Sequence, residues 1–214
     1  MNVTYGHISA EDRVRVRECH TLLTEAMGTE QVEDLASFER LLLPTTRDDV
    51  VPVLIAASRK SRIEGAIAGA YVASLNAGMV MYAGVLSKLR RRGIYTRLRA
   101  ELVDALADVS RETAGQGLRY IVSEVEQGTP VYRKYIEDWG AYVAPFRYEQ
   151  PATQGLRARP LKLVVLPIDG ASPPTPSQAL DIVGVLYEKI YCLPQPRDNI
   201  HYMRAAQSLR EQYS

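Results

Sequence analysis

The segment Arg90-Arg91-Arg92-Gly93-Ile94-Tyr95 constrains this chain more than any other. It follows an apolar run, Met79 to Leu86, that reads as a strand. It opens a stretch in which Ile94, Leu98, Leu102, Leu106 and Val109 recur at helical spacing. A strand, a basic glycine turn and a helix start together make an anion cradle. The first amides of a helix have no partner within it, and the helix dipole favours negative charge there. Glycine at position 93 lets backbone approach a phosphate with no Cβ in the way. A phosphorylated ligand suits such a turn.

Composition limits the rest. With 214 residues, 46% hydrophobic and 24% charged, the chain is globular and large enough for one domain, or one domain with an appendage. A formal net charge of +1 gives no global field for nucleic acid or an anionic membrane, so neither is expected as a partner. Any basic function is local to Lys88–Arg92. Gly65 to Ser87 carries no charge, but Asn76-Ala77-Gly78 splits it, and the pattern reads as a buried hairpin rather than a membrane span. Glu11, Asp12, Arg13 and Arg15 leave no apolar core for a secretory signal. The two cysteines, Cys19 and Cys192, suggest no disulfide framework, and a reduced cytoplasm is the expectation. His7, His20 and His201 lack the spacing of metal ligands, so no metal is expected.

The order of patterned segments predicts β-α-α-β-β-β-α-β-α-β-β: α/β, with a mixed, partly antiparallel central sheet flanked by helices. The first helix is expected to start at a Ser9 cap and end at Gly28, and the second to run from Glu30 to Leu43, closed by Pro44. Thr129-Pro130 caps a short helix to Trp139; Tyr142–Tyr148 and Leu161–Ile168 read as the last strands. These segments make residues 1–169 one domain. Residues 170–176 form a Pro-rich linker, and 177–214 a C-terminal helical extension. There Ile182, Val185, Leu186, Ile190 and Tyr191 form an apolar stripe that packs onto the parent domain or, if exposed, supports a homodimer or a lid.

The chain resembles the Gcn5-related N-acetyltransferase (GNAT) superfamily. The family signature, a strand followed by Gln/Arg-x-x-Gly-x-Gly/Ala at a helix start, is matched by Arg90-x-x-Gly93-x-Tyr95, with Val85 eight residues before Gly93. Downstream, a strand glutamate and a helix ending in Tyr-x-x-x-Gly-Phe find counterparts in Glu124-Val125 and Ile136-Glu137-Asp138-Trp139-Gly140-Ala141-Tyr142. The resemblance spans roughly residues 1–168. It implies that acetyl-CoA is the co-substrate and that backbone at Gly84 and Val85 meets the pantetheine arm. It also implies that the amides from Arg91 through Gly93, Ile94 and Tyr95 to Thr96 cradle the pyrophosphate, with guanidinium groups of Arg90, Arg91 and Arg92 adding charge. Three positions depart from the family. Tyr95 replaces a small residue, and Thr129 replaces a frequent asparagine. Ile136 holds the place of the general-acid tyrosine, with Tyr135 one residue earlier. One residue rotates a helical side chain by about 100°, so Tyr135 serves only if the helix is shifted or shortened.

Acyl transfer to an amine needs a base for the amine proton and an acid for the leaving thiolate. The resemblance assigns Glu124 as base, against the alternative of a solvent-facing or salt-bridged glutamate; Glu126 is the fallback on the same strand face. Tyr135 is the candidate acid, Tyr132 a core or surface aromatic, and Tyr82 a wall of the acceptor pocket. The function so implied is an acyl-CoA-dependent N-acyltransferase, passing acetyl to a small-molecule or protein amine by direct attack in a ternary complex. Strand amides near Val85 would polarise the thioester carbonyl. The alternative is a non-catalytic acyl-CoA-binding regulatory or structural protein on the same scaffold.

Overall fold

A computed structural model describes residues 3–43, 49–153 and 156–213. In chain order the elements are β1 (Thr4–His7), α1 (Arg13–Met27), α2 (Leu35–Leu42), β2 (Val50–Arg59), β3 (Arg62–Val72) and β4 (Ala77–Val85). There follow α3 (Ile94–Ala114), β5 (Tyr120–Val125), α4 (Pro130–Arg133), β6 (Tyr142–Val143), β7 (Tyr148–Gln150), β8 (Arg159–Pro167), α5 (Pro176–Lys189) and α6 (Ile200–Tyr213). The strands form an eight-stranded sheet in the order β1-β2-β3-β4-β5-β8-β6, with β7 also paired to β8. Its neighbours are antiparallel except β4 and β5, which are parallel and joined by α3. A parallel pair needs such a crossover. The mixed, helix-flanked sheet is the one the sequence pattern predicts.

Several boundaries differ from the sequence reading for local reasons. The first helix is capped by Asp12, whose carboxylate accepts from the Arg15 amide at 3.1 Å; Ser9 instead accepts from the Glu11 amide. The second begins at Leu35 because Asp34 caps it, accepting from the Ser37 amide at 2.8 Å; Pro44 lies outside the described residues. The strand expected over Tyr142–Tyr148 is two pieces, since Pro145 interrupts it and cannot donate to a ladder.

On one face of the sheet lies α3, with Leu98, Leu102 and Leu106 fully buried. On the other, α1 crosses β4 so closely that a Cβ at Gly84 would stand 2.8 Å from the Ala26 Cβ. The same face, further along, is covered by α5 and α6. Ile182, Leu186 and Ile190 are buried there in one core with Met79, Tyr120, Val122 and Val165 of the sheet. The C-terminal stripe therefore faces the sheet, with Val185 only partly buried at its edge. A capping box at Thr175 and Gln178, followed by Pro176 at the first helical position, fixes where α5 starts.

Two irregularities in β4 prepare a site. Ala68 faces Tyr82 and Gly69 faces Val80, so Met81 is an extra residue, a bulge. Pairing with β5 covers only Ala77–Val80 against Tyr120–Ser123; beyond that rung the two parallel strands part.

Candidate active site

The parted strands open a cleft of about 380 Å³ lined by Met81, Tyr82, Ser123, Glu124, Thr129 and Tyr135, among others. Alternation along β5 sends neighbouring side chains to opposite faces. Ser123 projects toward the α3 face. Its hydroxyl lies 2.6 Å from the hydroxyl of Tyr135, which is 1% exposed. Glu124 projects toward the α5 face. The two candidate proton-transfer groups thus flank the point where the sheet divides, one on each side.

Tyr135 arrives there on a helix of two parts. Thr129 caps it, accepting from the Tyr132 amide at 3.2 Å, and after Arg133 the helix widens into a π turn over Lys134–Asp138. The widened turn closes with the Trp139 amide on the Lys134 carbonyl at 3.1 Å. Tyr135 is buried edge-on against Trp139, ring centres 4.9 Å apart, while Ile136 is only partly buried. The helix thus departs from regular α geometry at the position where the sequence asked for a shift.

At the start of α3, regular pairing begins with the Arg97 amide on the Gly93 carbonyl at 3.0 Å. The amides of Ile94, Tyr95 and Thr96 therefore have no intrahelical partner. Arg91 and Gly93 both hold left-handed backbone, φ +64° and +78°, and a Cβ built on Gly93 meets nothing within 4 Å. The Tyr95 ring turns inward to lie 6.3 Å from Trp139, and burial followed by the adjacent Tyr135 pushes its hydroxyl well above the usual phenol range. The bulky residue that departs from the family pattern leaves the turn open. The residues present fit a pyrophosphate.

The remaining cradle residues differ among themselves. Arg91 and Arg92 are exposed. The Arg90 guanidinium donates to the Ala26 carbonyl at 2.8 Å and the Val85 carbonyl at 3.4 Å, tying the turn to α1 and β4. Gly84 and Val85 lie beyond the stretch of β4 that lines the cleft, which is Val80–Ala83.

Around Glu124 the environment is unusual. Tyr148 donates to its Oε1 and Tyr191 to its Oε2. Burial pushes the carboxyl above the ordinary carboxylate range, while these two hydroxyls and Arg159 pull it back. Glu126 lies past the end of β5, its side chain 63% exposed, with Arg159 at 3.9 Å. Tyr132 is half-buried against the core. Burial, then Glu33 and Glu124, raise the Tyr82 hydroxyl, which places Tyr82 within the field of both carboxylates.

A second cleft, also about 380 Å³, opens on the Glu124 side of the sheet between α2 and the end of α5. Pro52, Ala70 and Met81 floor it, and Glu33, Arg40 and Tyr191 stand in its walls. Met81 lines both clefts, so the bulge is where they meet. Burial raises the Glu33 carboxyl above its ordinary range. The sequence reading missed Glu33, Met81, Tyr148 and Tyr191. One signal was present: thirteen tyrosines against two phenylalanines, which says that hydroxyls are carried into aromatic positions. Among the described residues, no three His, Cys, Asp or Glu side chains converge as a metal site would need, and no helix is long and apolar enough to cross a membrane.

No protein-family model matches the chain, and comparison with curated sequences found no match. Comparison of structures did. A GNAT-family protein from Bacteroides thetaiotaomicron superposes with a TM-score of 0.65 at 17% identity, over 89% of this chain and 99% of that one. The ribosomal-protein-S18-alanine N-acetyltransferase of Escherichia coli gives 0.58 at 16% identity, over 81% of this chain and 99% of the enzyme. Diaminobutyrate acetyltransferase from Paenibacillus lautus, solved with L-2,4-diaminobutyric acid and coenzyme A, gives 0.54 at 19% identity, over 78% and 95%.

Proposed function

From the fold of this chain, which is that of the GNAT acetyltransferases, we propose that the protein is an acyl-CoA-dependent N-acyltransferase using acetyl-CoA. One observation carries this reading. Where β4 and β5 part, Glu124 lies on one face of the sheet and Tyr135, against the neighbouring Ser123, on the other, and α3, which joins the two strands, starts with an open anion cradle.

The amides of Ile94, Tyr95 and Thr96 hold the pyrophosphate, with Arg91 and Arg92 adding charge. Backbone along Met81–Ala83, the open arm of β4, takes the pantetheine and polarises the thioester carbonyl. The acceptor amine enters as its neutral base from the second cleft, beside Glu33. Its nitrogen attacks the carbonyl carbon, forming the N–C bond as the C–S bond breaks. Glu124 takes the amine proton, and Tyr135 supplies a proton to the leaving thiolate. The acceptor is a small amine or the amine of a protein, and the protein acts in the cytoplasm.

The test pairs calorimetry of acetyl-CoA binding with thiol release across a panel of amines. The reading expects binding together with acceptor-dependent release. Binding without release from any amine supports the non-catalytic acyl-CoA-binding alternative, and no binding removes both.

A further inference from the structure

Glu124 is held by residues that lie outside the strand–turn–helix unit carrying the cradle. Tyr148 belongs to β7. Tyr191 lies just past α5, where the Ile190 and Tyr191 amides both turn back onto the Leu186 carbonyl, at 2.9 and 3.0 Å. Cys192 then adopts left-handed backbone, φ +58°, and the Leu193 amide bonds the Tyr187 carbonyl at 2.9 Å. This ending of α5 aims the Tyr191 ring back across the sheet.

Three tyrosines support one another there. The Tyr187 ring is 6.3 Å from Tyr148 and stands edge-on to Tyr191 at 6.1 Å. The Tyr187 hydroxyl donates to the Glu149 carbonyl, which fixes the middle ring between β7 and α5. Gln150 donates to the Tyr191 oxygen at 3.1 Å, leaving the Tyr191 proton directed at Glu124. Tyr191 also lines the second cleft, where the acceptor would lie.

We infer that Tyr191, with Tyr148, positions Glu124 and sustains it as a carboxylate, so that the segment following β8 is a working part of the transfer site. This deepens the function proposed above and rests on it. Neither tyrosine is assigned a bond to substrate; both act through Glu124. Two O–H donors, one on each oxygen, fix the carboxylate plane and favour the charged form against the cost of burial. The groups whose fields reach Glu124 are Tyr82 from β4, Tyr148 from β7, Arg159 from β8, Tyr187 from α5, and Tyr191. Of these, Arg159 is the cation, and the two clamping hydroxyls supply the hydrogen bonds.

The sign of the effect is fixed. Removing one hydroxyl weakens support for the charged form, so the Glu124 carboxyl titrates at higher pH and is deprotonated over a narrower range. The experiment compares Y191F and Y148F with the parent chain, both variants retaining the ring. The acid limb of kcat/KM for the acceptor should move to higher pH by on the order of one unit in Y191F, about a tenfold loss below the limb with recovery above it. KM for acetyl-CoA should hold. A second readout needs no turnover: the Glu124 carboxyl carbon, identified by its absence in E124Q, should titrate at higher pH in both variants by 13C NMR. A loss of rate equal at all pH values, with that titration unmoved, overturns the inference and leaves the tyrosines as packing. Full turnover in E124Q would instead remove the proposed base, whatever the titration shows.

Discussion

Residues Arg90–Thr96 form the cradle as one uninterrupted run, whereas the partners of Glu124 come from positions 24 and 67 residues further along the chain. The cradle is made by backbone: two left-handed residues and three amides that a helix start leaves unpaired. The surroundings of Glu124 are made by side chains that meet only after α5 has packed on the sheet. A local turn is changed in place by altering its own residues, but a site assembled from three elements is sensitive to anything that moves one of them. The two regions should accordingly fail differently, one by losing acetyl-CoA and the other by losing chemistry.

The strongest test of that separation is E124Q. Turnover should fall by about 10²-fold or more, as expected for loss of a general base, while calorimetry shows acetyl-CoA binding unchanged. A parallel loss of binding would mean that the two regions are one. Next is Gly93→Val. Left-handed backbone costs a residue with a Cβ about 1–2 kcal/mol, and the new side chain would enter the open turn. Acetyl-CoA affinity should drop about tenfold or more by calorimetry, with kcat at saturating acetyl-CoA close to the parent value.

The pH profile sharpens the other side. Because burial raises the Glu124 carboxyl, the base gains its charge only as pH rises through that elevated value. The rate should therefore climb on an acid limb lying above the ordinary glutamate value of about 4.3, read from kcat/KM against pH. A limb at the ordinary value would separate Glu124 from the rate. Smaller still is the double variant R91A/R92A, which should weaken acetyl-CoA binding a few-fold at low salt, the difference closing as salt screens exposed charge. The smallest effect on binding belongs to Arg90→Ala. Its hydrogen bonds go to Ala26 and Val85, so acetyl-CoA affinity should hold while Tm falls by about 2–4 °C, the loss of about 1 kcal/mol.

What could be read from the chain follows the same division. Alternation, helical spacing and the glycine turn are short-range signals, and they located the strands, the central helix and the open amides of Ile94–Thr96. Thr129-Pro130 announced its helix because a cap and its proline are neighbours. The strand across Pro145 was misread since apolar composition on both sides outweighed one missing donor. Glu124 stood out as a strand glutamate, but nothing near it in sequence says that Tyr191 will touch it. Tyr191 read instead as one member of an apolar stripe, which its ring obeys and its hydroxyl does not. Arg90 was legible as part of a basic run, yet only the crossing of α1 shows which carbonyl it meets.

The extra residue in β4 sets a parity. Up to Val80, even-numbered positions look toward α3; past Met81 they look the other way, which is how Tyr82 comes to share a field with two carboxylates and Gly84 to lie under Ala26. Were the same sequence paired in strict alternation, without the bulge, Ala83 and Val85 would face α1, where even a Cβ built at Gly84 comes within 2.8 Å of the Ala26 Cβ. Which face each side chain of the open arm of β4 presents is thus set by one extra residue and by steric exclusion where α1 crosses at Gly84.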